Sequence, residues 1–164
     1  MKRTVEVIDG HKGGWVSFDA VLQAACKDVA EHTKANRVSI WRFEENASRI
    51  VCDCFYEAEG TSFSSGQMLT EQDCPKYFQT ILGEQVIIAP DARNHPVTDE
   101  LTESYFKPFD IYSLLDFILH ENFKPIGVIC CENAGAQRDW SEDNISYLRQ
   151  IATLISFSFK RDVA

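Results

Sequence analysis

The sequence predicts an α+β domain: a central antiparallel β-sheet with the N- and C-terminal helices on one face and a crossover segment with short helices on the other. Three observations carry this. Two pairs of β-rich segments stand close in sequence with only turn residues between them. Amphipathic helical patterns bracket those pairs near either end. A polar stretch, Ala89-Pro-Asp-Ala-Arg-Asn-His-Pro-Val-Thr-Asp-Glu100, separates two apolar runs and reads as the crossover.

Taken in order, Phe18, Val21, Leu22, Ala25, Val29 and His32 recur at helical spacing after Ser17, a suitable N-cap, which predicts a helix over 17–34. His32 closes the stripe and is expected to pack or cap that helix. "RVSIWRFEE" and "SRIVCDCFYEAEG" are rich in β-branched and aromatic residues and flank the turn formers Glu45 to Ser48, so they form a hairpin. Residues Gly60 to Gln72 read as a loop. Asp73 is placed to cap a short helix with Pro75 in its first turn and Tyr77, Phe78, Ile81 and Leu82 on its apolar side, ended by Gly83. "QVIIA" is a short strand, the polar stretch and a helical turn near Leu101 to Phe106 follow, and "DIYSLLDFILHEN" with "KPIGVICCEN" forms a second hairpin across Asn122-Phe123. Ser141 caps the last helix, with Glu142 and Asp143 in its first turn, apolar positions from Ile145 to Phe159, and Lys160 and Arg161 at its end.

The totals set limits on function. A chain of 164 residues that is 45% apolar suits one domain with a real core, and no repeat or linker divides it. A net charge of -9, with Lys and Arg scattered, argues against nucleic acid or an anionic membrane surface as the partner. The N-terminus lacks the apolar core of a signal peptide and no 18-residue apolar run exists, so a cytoplasmic protein is expected. In that compartment Cys26, Cys52, Cys54, Cys74, Cys130 and Cys131 read as reduced, buried thiols.

Catalysis finds little support. His95 with Asp91 or Asp99 offers a base and an orienter without a nucleophile motif, and Pro96 keeps His95 in an extended, exposed loop. One imidazole among solvated acids is also a poor metal site. Cys52 and Cys54, two apart on a strand, are expected on one face, while Cys130 and Cys131 point to opposite faces, so that one of the latter could meet Cys52 or Cys54 across the sheet. A cysteine-based redox or metal sensor therefore stays open as an alternative.

The ordered series "RVSIWRFEE", "DCPKYFQTI", "PDARNHPVTDEL", "YFKPFDIYSLLDF", "GVICCEN" and "QRDWSEDNISYLRQIATLIS" resembles a GAF domain of bacterial signalling proteins, covering about residues 17 to 160 of a single domain spanning 1–164. The resemblance implies a GAF/PAS-like sensor fold. It further implies a ligand cavity closed by the crossover segment, terminal helices that often form a homodimer, and an output kinase or cyclase domain in the same protein. Relatives that attach bilin use a Cys in the crossover, where this chain has Leu101-Thr-Glu-Ser-Tyr105, and the cyclic-nucleotide signature Asn-Lys-x-Asp is absent.

The expected function is thus a non-enzymatic sensory or regulatory domain that binds an unidentified small molecule and relays the event through its terminal helices, with no cofactor named by the sequence. In the cavity that the resemblance implies between the sheet and the segments from Gly60 to Phe109, the expected ligand-binding residues are Phe63, Tyr77, Asp91, Arg93, Tyr105, Ser113 and Asp116. Arg93 can hold an anion, or it can pin the loop by pairing with Asp91, Asp99 or Glu100. A ligand-free dimerisation scaffold is the rival: a cavity above about 300 Å³ with convergent polar groups favours a ligand, and a packed interior favours the scaffold. Ile151, Ile155, Phe157 and Phe159 spread around the last helix and suggest apolar surface left over for a second copy.

Overall fold

A computed structural model describes residues 1–162, with side chains through Phe159, so the basic last turn expected at Lys160 and Arg161 lies outside the described side chains. The chain forms helix α1 (Lys2–Lys12), α2 (Phe18–Thr33), strands β1 (Arg37–Glu44), β2 (Arg49–Glu57), β3 (Ser62–Ser64) and β4 (Met68–Thr70). It continues through α3 (Pro75–Glu84), β5 (Val86–Ala89), a 3-10 turn (Asp99–Leu101) and a π-helical turn (Thr102–Phe106), and ends with β6 (Ile111–Glu121), β7 (Lys124–Ala134) and α4 (Glu142–Asp162).

All strands pair antiparallel in one sheet of order β3-β2-β1-β7-β6-β5, with β4 also on β2. Both hairpins form at the expected turns. Glu45, Asn46 and Ala47 take positive φ at the first, and Asn122 and Phe123 (φ 49° and 65°) at the second, the left-handed pair that a two-residue hairpin turn requires. The predicted α+β architecture holds, with a separate apolar cluster on each side of the sheet. On one side, α2 and α4, with α1 packed on α2, cover Val38, Ile40, Leu115, Leu119, Ile129 and Cys131; on the other, α3 and the crossover cover Trp41, Ile50, Leu114, Ile118, Val128 and Cys130.

Alternating strand residues feed these two clusters, and one β-bulge changes the parity. The β1–β2 register runs Ile40 to Cys54 and Trp41 to Cys52, leaving Asp53 unpaired. Cys52 therefore faces the crossover and Cys54 faces α2, which corrects the expectation that both share a face. The nearest thiol recorded for Cys54 is Cys26 of α2, 3.8 Å away between sulfurs. Cys130 and Cys131 do lie on opposite faces. Gly127 of β7 permits the central strands to close, because a Cβ there would sit 2.1 Å from the Trp41 carbonyl oxygen.

Several local expectations change. Helix α1 occupies an N-terminal segment to which the sequence reading assigns no element, and strands β3 and β4 form within the segment read as a loop. Asp73 does not cap α3: Cys74 is its N-cap, the Glu100 carboxylate accepts from Lys76 N at 3.1 Å, and the helix runs past Gly83 to a left-handed Gln85. Ser141 caps α4 as expected, its hydroxyl accepting from Asn144 N. His32 stacks on Tyr147 and meets Asp143 at 2.7 Å, tying α2 to α4. Ile151, Ile155 and Phe159 are buried against the sheet, so the expected surplus of apolar helix surface reduces to Phe157, 64% exposed. No helix among the described residues is long and apolar enough to cross a membrane.

Candidate functional site

The side of the sheet under α3 and the crossover holds a partly open cavity of about 180 Å³. Its walls come from Trp41 of β1, Ile50 of β2, Met68 and Leu69 of β4, Leu101, Tyr105 and Phe109 of the crossover, and Leu114 of β6. Its floor carries two buried acids on neighbouring strands.

Asp116 sits in the middle of β6, opposite Cys130, inside the apolar run "YSLLDFIL". It is 1% exposed, and its Oδ2 accepts a 2.5 Å hydrogen bond from the hydroxyl of Tyr77, itself fully buried on α3. Oδ1 is buried with no hydrogen-bond partner. Burial pushes the carboxyl up to about 7, although the facing Cys130 thiol, a weak donor, and the Tyr77 hydroxyl favour the ionised form. Burial likewise pushes the Tyr77 phenol and the Cys130 thiol up, and the Asp116 charge adds to both shifts.

Glu132 lies two residues beyond Cys130 on the same face of β7. It accepts from Tyr105 at 2.8 Å and from Arg37 Nε at 3.4 Å, and Arg37 in turn donates to the Tyr105 hydroxyl at 3.3 Å. Arg37 also reaches Glu57 at 3.0 Å, and its guanidinium covers the rings of Phe55 and Phe109. Burial raises the Glu132 carboxyl while Arg37 pulls it back, a paired arrangement that Asp116 lacks.

The family model for the GAF domain matches residues 17–159. This chain belongs to the GAF domain family. No curated protein matches it. Among solved structures, a protein in its far-red absorbing dark state with bound biliverdin IXa superposes with a TM-score of 0.77 at 17% identity, covering 99% of each chain. The GAF domain of an Acinetobacter phosphoenolpyruvate-protein phosphotransferase superposes with a TM-score of 0.73 at 18% identity, covering 99% of this chain and 95% of that one. The photosensory core module of a Stigmatella aurantiaca phytochrome gives a TM-score of 0.73 at 12% identity, with 98% of this chain covering 36% of that one. At such identities the likeness is one of fold.

Within this GAF domain, three of the seven expected ligand-binding residues meet at the cavity: Tyr77, Tyr105 and Asp116. The other four do not. Phe63 packs on Tyr56 and under Lys27 on the helical side of the sheet. Ser113 accepts from Arg138 N at 2.9 Å and donates to the Pro90 carbonyl at 2.6 Å, joining the crossover to the approach to α4. Asp91 accepts from the Asn94 side chain at 3.0 Å. Arg93 donates to the Ile111 carbonyl at 2.7 Å, lies 3.7 Å from Asp110, and stacks on Tyr112 at 3.9 Å. It pins the loop, but through Asp110 and Ile111 rather than through Asp91, Asp99 or Glu100.

The crossover is held by further internal bonds. Thr98 and Thr102 donate to the carbonyls of Ala92 and Arg93, and Asp99 pairs with Lys76. His95 is half-buried rather than exposed, and its Nδ1 accepts from Val97 N, so neither Asp91 nor Asp99 orients it. Among the described residues no group of three or more His, Cys, Asp or Glu could hold a metal ion. Trp41, Glu132, Arg37 and Cys130 were not anticipated as site residues. Their signal was present: an acid at the end of the apolar run "GVICCE" is as anomalous as Asp116 in "YSLLDF".

Proposed function

We propose that this GAF domain is a non-enzymatic sensor whose cavity between the sheet and the crossover binds a compact organic molecule. The observation that carries this is Asp116, a buried carboxyl with one oxygen unpartnered at a cavity walled mainly by apolar side chains. An unsatisfied buried polar atom costs about 1–3 kcal/mol, and a site that accepts a ligand recovers this on binding. The volume sets the ligand's size. About 180 Å³ falls below the expected 300 Å³ and the range of drug-sized pockets, yet exceeds the roughly 150 Å³ cavity that takes benzene. One ring fits and a linear tetrapyrrole does not, so the bilins named for structural relatives are not the proposed ligand.

The route from cavity to output runs through the sheet. Leu114, Asp116 and Ile118 face the cavity side while Leu115, Phe117 and Leu119 of the same strand carry α4, so a shift of β6 on binding moves the terminal helices. In a longer protein those helices would hand the shift to an output kinase or cyclase domain, and Phe157 offers the exposed contact for a second copy.

The test is hydrogen exchange and thermal unfolding with a panel of single-ring compounds: toluene, phenol, benzoate and benzylamine. At least one is expected to raise the melting temperature and slow exchange across residues 99–121 and in α4. If the whole panel leaves both unchanged, the domain is a ligand-free scaffold.

A further inference from the structure

The sensor reading leaves the chemical class of the ligand open, and the hydrogen-bond inventory of the cavity narrows it. The hydroxyl protons around the floor are already committed: Tyr77 donates to Asp116 and Tyr105 donates to Glu132. The Trp41 indole N–H donates to Ser39 Oγ at 2.8 Å. Arg37 spends its guanidinium on Glu132, Glu57 and Tyr105 behind the wall. What the floor leaves open is an acceptor, Asp116 Oδ1, beside only the weak donor of the facing Cys130 thiol. An anionic ligand would find no strong donor at the floor and would meet the charge of Glu132, whereas a ligand that donates completes it.

Charge balance selects a cation among donors. Arg37 lies between Glu132 and Glu57 and is 3.4 Å from the former, so the two floor acids together exceed the one cation that serves them. An ionised Asp116 has no positive partner among the described residues. The walls add the aromatic side chains of Trp41 and Tyr105, a type of group that attracts a cation.

Resting on the sensor reading, we infer that the ligand is a single-ring organic cation whose nitrogen donates to Asp116 Oδ1 while its ring fills the space between Trp41, Leu114 and Phe109. Binding then requires the ionised acid. The titratable and charged groups around Asp116 at the cavity are Tyr77 from α3, Tyr105 from the crossover, and Cys130 and Glu132 from β7, with Arg37 from β1 behind Glu132. With the carboxyl raised to about 7, the ionised fraction grows about tenfold between pH 6 and pH 8, and affinity for the cation rises with it.

Isothermal titration with benzylamine, toluene and benzoate, on the parent and on Asp116→Asn, tests this. Benzylamine is expected to bind the parent most tightly, about tenfold more tightly at pH 8 than at pH 6, and at least about tenfold more weakly to Asp116→Asn. Toluene should bind both proteins alike and without pH dependence. If toluene binds while benzylamine does not, or if benzoate is preferred, the cationic class is wrong and the cavity reading stands. If no compound binds, both fail. The parent's pH profile needs no variant, so a poorly folded Asp116→Asn would not shield the inference: a flat or falling profile overturns it.

Discussion

Replacing Asp116 by Asn changes the pH dependence of folding in a way that can be worked out from the site. The carboxyl titrates near 7 in the folded protein against 3.8 ordinarily, because burial disfavours the charged form. The folded state therefore holds this proton more tightly than the unfolded chain. The stability that comes from neutral Asp116 is complete below about pH 4 and is lost as pH rises towards 7. At 1.36 kcal/mol per pH unit the full loss is about 4 kcal/mol, and the part falling between pH 5 and pH 8 is about 2.5 kcal/mol. Asn has the same shape, still accepts from Tyr77 and does not ionise. The difference in urea unfolding free energy between Asp116→Asn and the parent should shift by about 2.5 kcal/mol in favour of the variant from pH 5 to pH 8. A difference that stays constant within about 0.5 kcal/mol across that range would refute the burial argument.

Three further outcomes are expected. All six cysteines are buried, and burial pushes Cys52 and Cys74 up to about 12, so a thiol reagent at pH 8 should label the native domain slowly and all six positions rapidly in urea; fast native labelling would revive the cysteine-sensor alternative. Gly127→Ala drives a Cβ into the Trp41 carbonyl and should cost more than about 3 kcal/mol, read as loss of soluble folded protein or a collapse of the urea midpoint. Tyr105→Phe removes the hydroxyl that links Glu132 and Arg37 and should cost about 1–3 kcal/mol in chemical unfolding, with no effect if that network is slack.

Much of the architecture could be read from local pattern, because hairpin turns, caps and apolar periodicity act over a few residues. Ser141, the Asn122-Phe123 turn and the helix beginning after Ser17 are such cases, each formed as its own residues dictate. Helix α1 escaped notice because "KRTVEVIDGHK" carries few apolar residues and buries only Thr4 and Ile8 against its neighbours. Strands β3 and β4 have three residues each, too few for a period to show. The fate of Cys52 and Cys54 depended on a bulge that no local signal announces, since alternation is a rule about register and register is set by the partner strand.

The site divides along the same line. Tyr77 and Asp116 are expected at the cavity that the GAF resemblance implies, and they meet there because a buried phenol and a buried acid supply each other's hydrogen-bond partner. Asp91 and Arg93 drew attention through their charge, but their partners are Asn94, Asp110 and Ile111, which hold the loop in place. Phe63 is misplaced by the sheet face it occupies. Glu132 and Arg37 meet across two strands 95 residues apart in sequence, a pairing that topology alone creates.

The most direct test is a crystal structure of the domain grown with benzylamine at saturating concentration. The account predicts a ring between Trp41 and Phe109 with its nitrogen at about 2.8 Å from Asp116 Oδ1, and the crossover retained over it. A cavity that stays empty, or one closed by its own side chains with the compound bound elsewhere, would contradict it.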